Sequence, residues 1–195
     1  MSRSPAGPDL EVLTAVLVAA KAGAAWAHRD LWRQFAPAVA AYARARGSLE
    51  PDDLTSEVFL TVFDRLDRFE GGAAEFRAFV FTVAHRRLVD ELRVRSRRPV
   101  PDEFSAESDP RFSDSAESEA LDRIADREVV HLIEALAPDQ RAVLTLRILG
   151  DLSIPEIAAI VGKRPGAVKA LQRRGLEALR KKIRPDRTLL PRADD

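Results

Sequence analysis

From Pro99 to Ser118 the chain runs through proline, serine, aspartate and glutamate, and its sizeable apolar side chains there are Val100, Phe104 and Phe112. A stretch so poor in apolar surface buries too little to offset the conformational entropy lost on ordering, so it reads as a flexible linker. The rest of the chain must then fold as two units, each around its own core. With 195 residues and 46% hydrophobic content there is material for two small domains. Neither flank holds an alternating run of β-branched residues long enough for a sheet, and no internal repeat is present. The expected fold class is all-α: two small helical bundles at 1–98 and 119–186, an acidic linker at 99–118 and a tail at 187–195.

Apolar residues at helical spacing predict helices from Leu10 to Lys21, Ala27 to Arg46, Pro51 to Arg68 and Glu75 to Arg97 before the linker. After it they predict helices from Glu119 to Ala137, Pro138 to Leu149, Ile154 to Val161 and Pro165 to Ile183. Gly47-Ser48 and Gly71-Gly72 break the first set, and Pro138 and Gly150 punctuate the second. The N-terminus has the outline of a signal peptide in Arg3, the apolar run Val12 to Ala20 and the small residues Ala22 to Ala25. Asp9 and Glu11 put negative charge where positive is needed, and the run falls short of the ~20 residues of a bilayer span. Leu10, Leu13, Val16, Leu17 and Ala20 instead mark an amphipathic helix, so a cytoplasmic protein without membrane insertion is expected. Cysteine is absent, which removes disulfides, thiolate nucleophiles and zinc-finger sites.

The formal net charge is zero, but the charge is segregated. Asp102, Glu103, Glu107, Asp109, Asp114, Glu117 and Glu119 stand against Arg111 alone between Pro99 and Ala120. Between Gly162 and Arg184, nine bases stand against Glu177 alone. Blocks this lopsided point to local electrostatic tasks that the average conceals.

The basic block begins at a turn with its own grammar. Ser153-Ile-Pro-Glu156 is a capping box, with Leu152 and Ile157 placed as a hydrophobic staple. Ala158 is small where two helices must approach, Gly162 can take the left-handed conformation of a tight turn, and Val168 is set to seal the second helix onto the first. This is the spacing of a helix-turn-helix. Val168, Leu171, Leu176, Leu179 and Ile183 share one face of the second helix, which leaves Lys169, Ala170, Arg173 and Arg174 facing outward for the major groove.

In the first unit, Leu54, Val58, Val62, Phe63 and Leu66 cover a wide arc of the third helix, extended by Phe59 and Leu60, and Asp52, Asp53, Glu57, Asp64 and Asp67 make it acidic. Such a helix is either buried on two sides or offers one side to a partner. In the fourth helix Phe76, Phe79 and Phe81 precede Arg86, Arg87, Arg93, Arg95, Arg97 and Arg98. Aromatics beside a basic track suit single-stranded nucleic acid, because bases stack on rings while cations follow phosphates. Phe76 and Val80, four apart, equally suit a core.

Taken together, Pro51-Asp-Asp-Leu-Thr-Ser-Glu-Val-Phe59, Phe76 to Arg93, Leu136-Ala-Pro-Asp-Gln-Arg-Ala-Val-Leu144, Leu152 to Gly162 and Gly166-Ala-Val-Lys-Ala-Leu-Gln-Arg-Arg174 resemble regions two and four of extracytoplasmic-function (ECF) sigma factors of the sigma-70 family. The resemblance covers Leu31 to Ile183 apart from the linker. It implies a subunit that binds core RNA polymerase, through the β′ clamp helices and the β flap, and directs transcription initiation at promoter DNA. Polymerase contacts would be Asp53, Glu57, Phe59 and Asp64. The minus-ten element would be melted and read by Phe69 to Glu75 and by the following helix, with Phe76, Arg77, Phe79, Phe81, His85, Arg86, Arg87, Arg93 and Arg97 as candidate contacts. The minus-thirty-five element would be read by Lys169, Ala170, Arg173 and Arg174, with Arg164 on a phosphate. The acidic linker would run toward the RNA exit path, where its charge could mimic nucleic acid as well as span the distance. An anti-sigma factor is a further candidate partner.

Three positions depart from the family pattern. Phe79 and Arg86 stand where relatives commonly carry Trp and Asn for strand separation, and Arg164 stands where a Ser or Thr cap is usual, at a cost of about 1 kcal/mol. The rival readings are a helix-turn-helix regulator acting on an existing holoenzyme, which would not need the acidic helix or the aromatic-basic helix, and an enzyme. For the latter, His28, His85 and His131 lack metal-ligand spacing and no phosphate loop or nucleophile elbow occurs, so no catalytic residue, metal or cofactor is expected.

Overall fold

The computed structural model describes residues 10–97 and 132–183; the expected linker, the tail and most of the helix expected from Glu119 lie outside the described residues. Four helices form the first unit: α1 (Leu10–Lys21), α2 (Ala25–Ala45), α3 (Pro51–Asp64) and α4 (Ala73–Arg97). Among the described residues the second unit holds a helical turn at 132–134, α5 (Pro138–Ile148), α6 (Ile154–Val161) and α7 (Pro165–Ile183). Among the described residues no strand occurs.

The first core is layered from all four helices. Leu13 and Leu17 of α1, Leu31 and Val39 of α2, Val58 and Val62 of α3, and Val80 and Leu88 of α4 are buried. Each such side chain contributes about 1.5–3 kcal/mol of hydrophobic stabilisation. Aromatic rings interlock the layers, Phe35 against Phe76 with centroids 5.7 Å apart and Tyr42 against Phe81 at 5.9 Å, both edge to face.

α3 ends at Asp64, four residues before the expected Arg68. The periodicity continues past Asp64, but Leu66 reaches the core through tighter turns, with its amide on the Phe63 carbonyl at 3.2 Å and the Phe69 amide on the Leu66 carbonyl at 3.3 Å. α4 starts at Ala73, ahead of the expected Glu75, because the Glu75 carboxylate accepts from the Gly72 amide at 3.0 Å and fixes the first turn from within. Gly71 between them has φ +151°, and a Cβ there would meet the Glu75 Cβ at 2.9 Å, so the loop closes only around glycine.

The second unit follows its sequence grammar closely. The Ser153 hydroxyl accepts from the Glu156 amide and the Glu156 carboxylate accepts from the Ser153 amide at 2.7 Å, so the capping box is formed. Gly162 takes φ +66° and the Lys163 amide closes on the Ala158 carbonyl at 3.0 Å. α7 then begins at Pro165 without a Ser or Thr, and the Arg164 carbonyl accepts from the Val168 amide at 3.1 Å. A guanidinium is a donor only and cannot cap these amides, but proline at the first helical position supplies a pre-set φ.

The two units touch. α4 packs on α6 and α2 on α5. The Arg77 guanidinium, 13% exposed, lies 2.6 Å from the Asp151 carboxylate, and Asp151 turns its side chain there from a left-handed backbone at φ +49°. Arg46 donates to the Pro138 carbonyl at 3.2 Å. Arg141 stands close enough to Arg46 that its pKa is lowered, first by burial and then by that like charge.

Candidate nucleic-acid interface

Three faces carry the predicted site residues, each fixed by the packing beneath it. On α7 Val168 is buried and Gly175 lies against α5, so Lys169, Arg173 and Arg174 stand exposed opposite, Ala170 is half-buried and Arg164 is exposed at the helix start. Arg173 meets Glu177 at 3.9 Å and Arg174 donates to the Ala170 carbonyl at 3.3 Å, contacts that leave both guanidinium groups at the surface.

On α3 Asp53, Glu57 and Asp64 are exposed along one face, spaced by about one and two turns. Phe59, expected among the polymerase contacts, is 1% exposed and does not belong to this face: its ring packs against Trp32 and Phe63, with centroids 4.7 and 5.5 Å away. The apolar member of the face is Leu60, 72% exposed, three residues after Glu57 and four before Asp64. Its spacing from the acids was the signal for it in the sequence.

α4 divides the predicted minus-ten residues more sharply. Phe76 and Phe81 are 0% and 1% exposed and serve the core, so neither presents a ring to a base. Their positions follow the 3.6 period shared with Val80, Ala84 and Leu88. His85 is half-buried, with Nδ1 2.8 Å from the Tyr42 hydroxyl. Burial, with Arg46 adding its charge, holds the His85 pKa down to about 4, while burial pushes Tyr42 up to about 12 against the opposing charge of Arg46. His85 is therefore neutral near pH 7 and supplies no cation for a phosphate. Arg77 is engaged with Asp151, and Arg87 lies 3.6 Å from Glu57 and 3.1 Å from the Thr61 hydroxyl.

What remains outward is a line. Phe79, Arg86 and Arg93 recur every seven residues, with Arg97 a turn further, and all three arginines are exposed. Phe79 is half-buried and stacks on Phe69 of the α3–α4 loop, with centroids 5.3 Å apart and planes 24° apart. The aromatic end of the line is thus a two-ring shelf. The sequence offered Val80, four residues on, as a core partner for Phe76 but did not separate Phe79 from Phe81, because a ring one residue off the buried stripe looks the same in one dimension.

The sequence has counterparts that decide its family. A family model, Sigma-70 region 2, matches residues 31–98, and a second, Sigma-70 region 4, matches residues 126–179. An ECF RNA polymerase sigma factor of Mycobacterium tuberculosis, SigD, is 32% identical over 185 residues, covering 89% of this chain and 84% of its own. The chain belongs to the ECF sigma factors. A second ECF sigma factor, BldN of Streptomyces coelicolor, is 30% identical over 189 residues, 94% of this chain and 70% of that one. The solved structure of CnrH in complex with the cytosolic domain of CnrY has the same fold, with a TM-score of 0.62 at 22% identity over 87% of this chain and 96% of that one. In sigma-factor terms most of α2, with α3 and α4, makes region 2, and α5, α6 and most of α7 fall in region 4. α1 precedes the region 2 match altogether. Among the described residues no helix of this sigma factor is long and apolar enough to cross a membrane.

Proposed function

We propose that this sigma factor docks on core RNA polymerase through Asp53, Glu57, Leu60 and Asp64 of α3, melts and reads the minus-ten element along Phe79, Arg86, Arg93 and Arg97 of α4, and reads the minus-thirty-five element through Lys169, Ala170, Arg173 and Arg174 of α7, with Arg164 on a phosphate. The observation that carries this reading is the separation of three chemically distinct faces in one chain: acidic with an apolar centre on α3, aromatic then basic on α4, basic on the recognition helix. A duplex reader needs only the last. A strand-separating subunit also needs rings for unstacked bases and a surface for the polymerase.

The domains are assigned as 1–98 for region 2, 99–118 for the acidic linker, 119–186 for region 4 and 187–195 for a tail, and the subunit works in the cytoplasm with the polymerase, without catalysis of its own. The inhibitory partner to look for is an anti-sigma factor; the CnrH structure is a complex with the cytosolic domain of CnrY. The test is reconstitution. Purified chain added to core polymerase should start transcripts from its own promoter, whereas a regulator would act only on a holoenzyme already formed; core polymerase left silent by the chain refutes the assignment.

A further inference from the structure

α1 stands outside the region 2 match, which begins at residue 31, yet its last residue reaches the aromatic shelf. Leu13, Leu17 and Ala20 bury one face of α1 and hold the helix on α2 and α4. The helix stops at Lys21, followed by Gly23 at φ +83°. From there the Lys21 ammonium donates to the backbone carbonyl of Phe69 and lies 5.1 Å from the centroid of the Phe69 ring. One cation therefore holds both the main chain and the side chain of a single loop residue.

That residue is half of the shelf. Phe69 stacks on Phe79 and meets buried Phe76 edge-on at 5.6 Å, so its ring is supported from beneath and from the side. Gly71 lets the loop fold back so tightly that a Cβ at that position would come within 3.0 Å of the Phe69 ring. Both rings of the shelf are half-buried and Lys21 is exposed beside them. A ring held by a cation on one side and an aromatic neighbour on the other has lost the freedom that stacking a base would otherwise have to remove.

We propose that Lys21 is a positioning residue for promoter melting: it fixes Phe69 against Phe79, and with it the two-ring shelf whose Phe79 end receives an unpaired base of the melted strand. The assignment rests on the reading of α4 as the strand-binding helix, and it makes α1 part of the promoter-reading surface. Stacking is sequence-tolerant, so the ligand is single-stranded DNA with one base on the shelf, chosen by the strand's register.

The experiment uses holoenzyme reconstituted from the full chain, a fluorescent single-stranded oligonucleotide carrying the non-template minus-ten sequence, and a set of copies each abasic at one position. Lys21→Met keeps the aliphatic stem and removes the cation. It should weaken binding of the intact oligonucleotide about tenfold, within the range expected of a stacked base. It should make no difference with the copy lacking the shelved base, which the wild type also binds weakly. Lys21→Arg should restore binding, whereas a loss of folding would lower thermal stability and core binding and affect every oligonucleotide alike. Equal binding of all oligonucleotides by Lys21→Met and wild type, with Phe79→Ala still impaired, overturns the role of Lys21 alone. If Phe79→Ala and Arg86→Ala also bind as wild type, the reading of α4 falls with it.

Discussion

His85 illustrates how a residue's chemistry follows from what lies behind it. In the sequence it is a polar ring in a basic helix facing DNA; in the structure it shares a hydrogen bond with Tyr42 under the charge of Arg46. Its folded pKa of about 4 lies below the unfolded value of 6.5, so the neutral form is the one the fold holds. The stability this contributes is complete above pH 6.5 and is lost as pH falls toward 4, where the unfolded chain binds a proton that the folded chain refuses. His85→Gln keeps a polar partner for Tyr42 and cannot titrate. Its melting temperature should therefore fall less than the wild type's between pH 6.5 and 4.5; parallel curves in the two proteins would refute the role of His85 in acid sensitivity. The core role of Phe76 was open to reading from Val80 four residues on, but that of Phe81 and Phe59 was not, because both sit at the edge of the buried stripe where one helical step decides between core and surface.

Helices were legible where a local stop or start is written in side chains, and misread where the stop is made by tertiary packing. The capping box at Ser153 and the left-handed Gly162 fix α6 without reference to the rest of the chain. The end of α3 depends on Leu66 finding the core, which no local signal announces. Gly175 was invisible for the same reason. In a helix interior it looks like a defect of about 1 kcal/mol relative to alanine. In place, a Cβ on it would stand 2.8 Å from the Leu144 Cδ1 and 3.4 Å from the Gln140 Cβ, with Leu144 itself buried. Gly175→Ala should thus lower the stability of the second unit by about 1–2 kcal/mol in thermal denaturation, overpacking outweighing the gain in propensity. A more stable variant would mean that Leu144 simply rotates away. On α3 the prediction is opposite in kind. Leu60→Asp adds a charge at an exposed position and should leave the melting temperature unchanged, while weakening association with core polymerase by about 2 kcal/mol or more. Undiminished co-purification with core polymerase would remove Leu60 from the interface.

Across the whole molecule, the contact between the units is the feature that the sequence did not disclose. Apolar periodicity says which face of α4 is buried but not that Asp151, 74 residues from Arg77, lies against it. The elements named minus ten and minus thirty-five are about 25 base pairs apart, roughly 85 Å along the duplex at 3.4 Å per base pair. α4, with 25 residues, is about 37 Å long, so a chain with α4 resting on α6 cannot occupy both elements at once. On the proposed reading of α4 and α7, docking on the polymerase therefore has to part Arg77 from Asp151. That pair is largely exposed on its acidic side and yields to dissolved ions, as does the acidic face of α3 proposed to meet the polymerase. Ionic strength then acts on the chain twice with opposite signs, loosening the closed form while weakening the association that replaces it. A plot of log affinity for core polymerase against log salt concentration should bend, shallow in dilute buffer and steeper once the pair is screened, and Asp151→Asn should straighten it; two lines of the same shape would show that the pair plays no part in keeping the molecule closed.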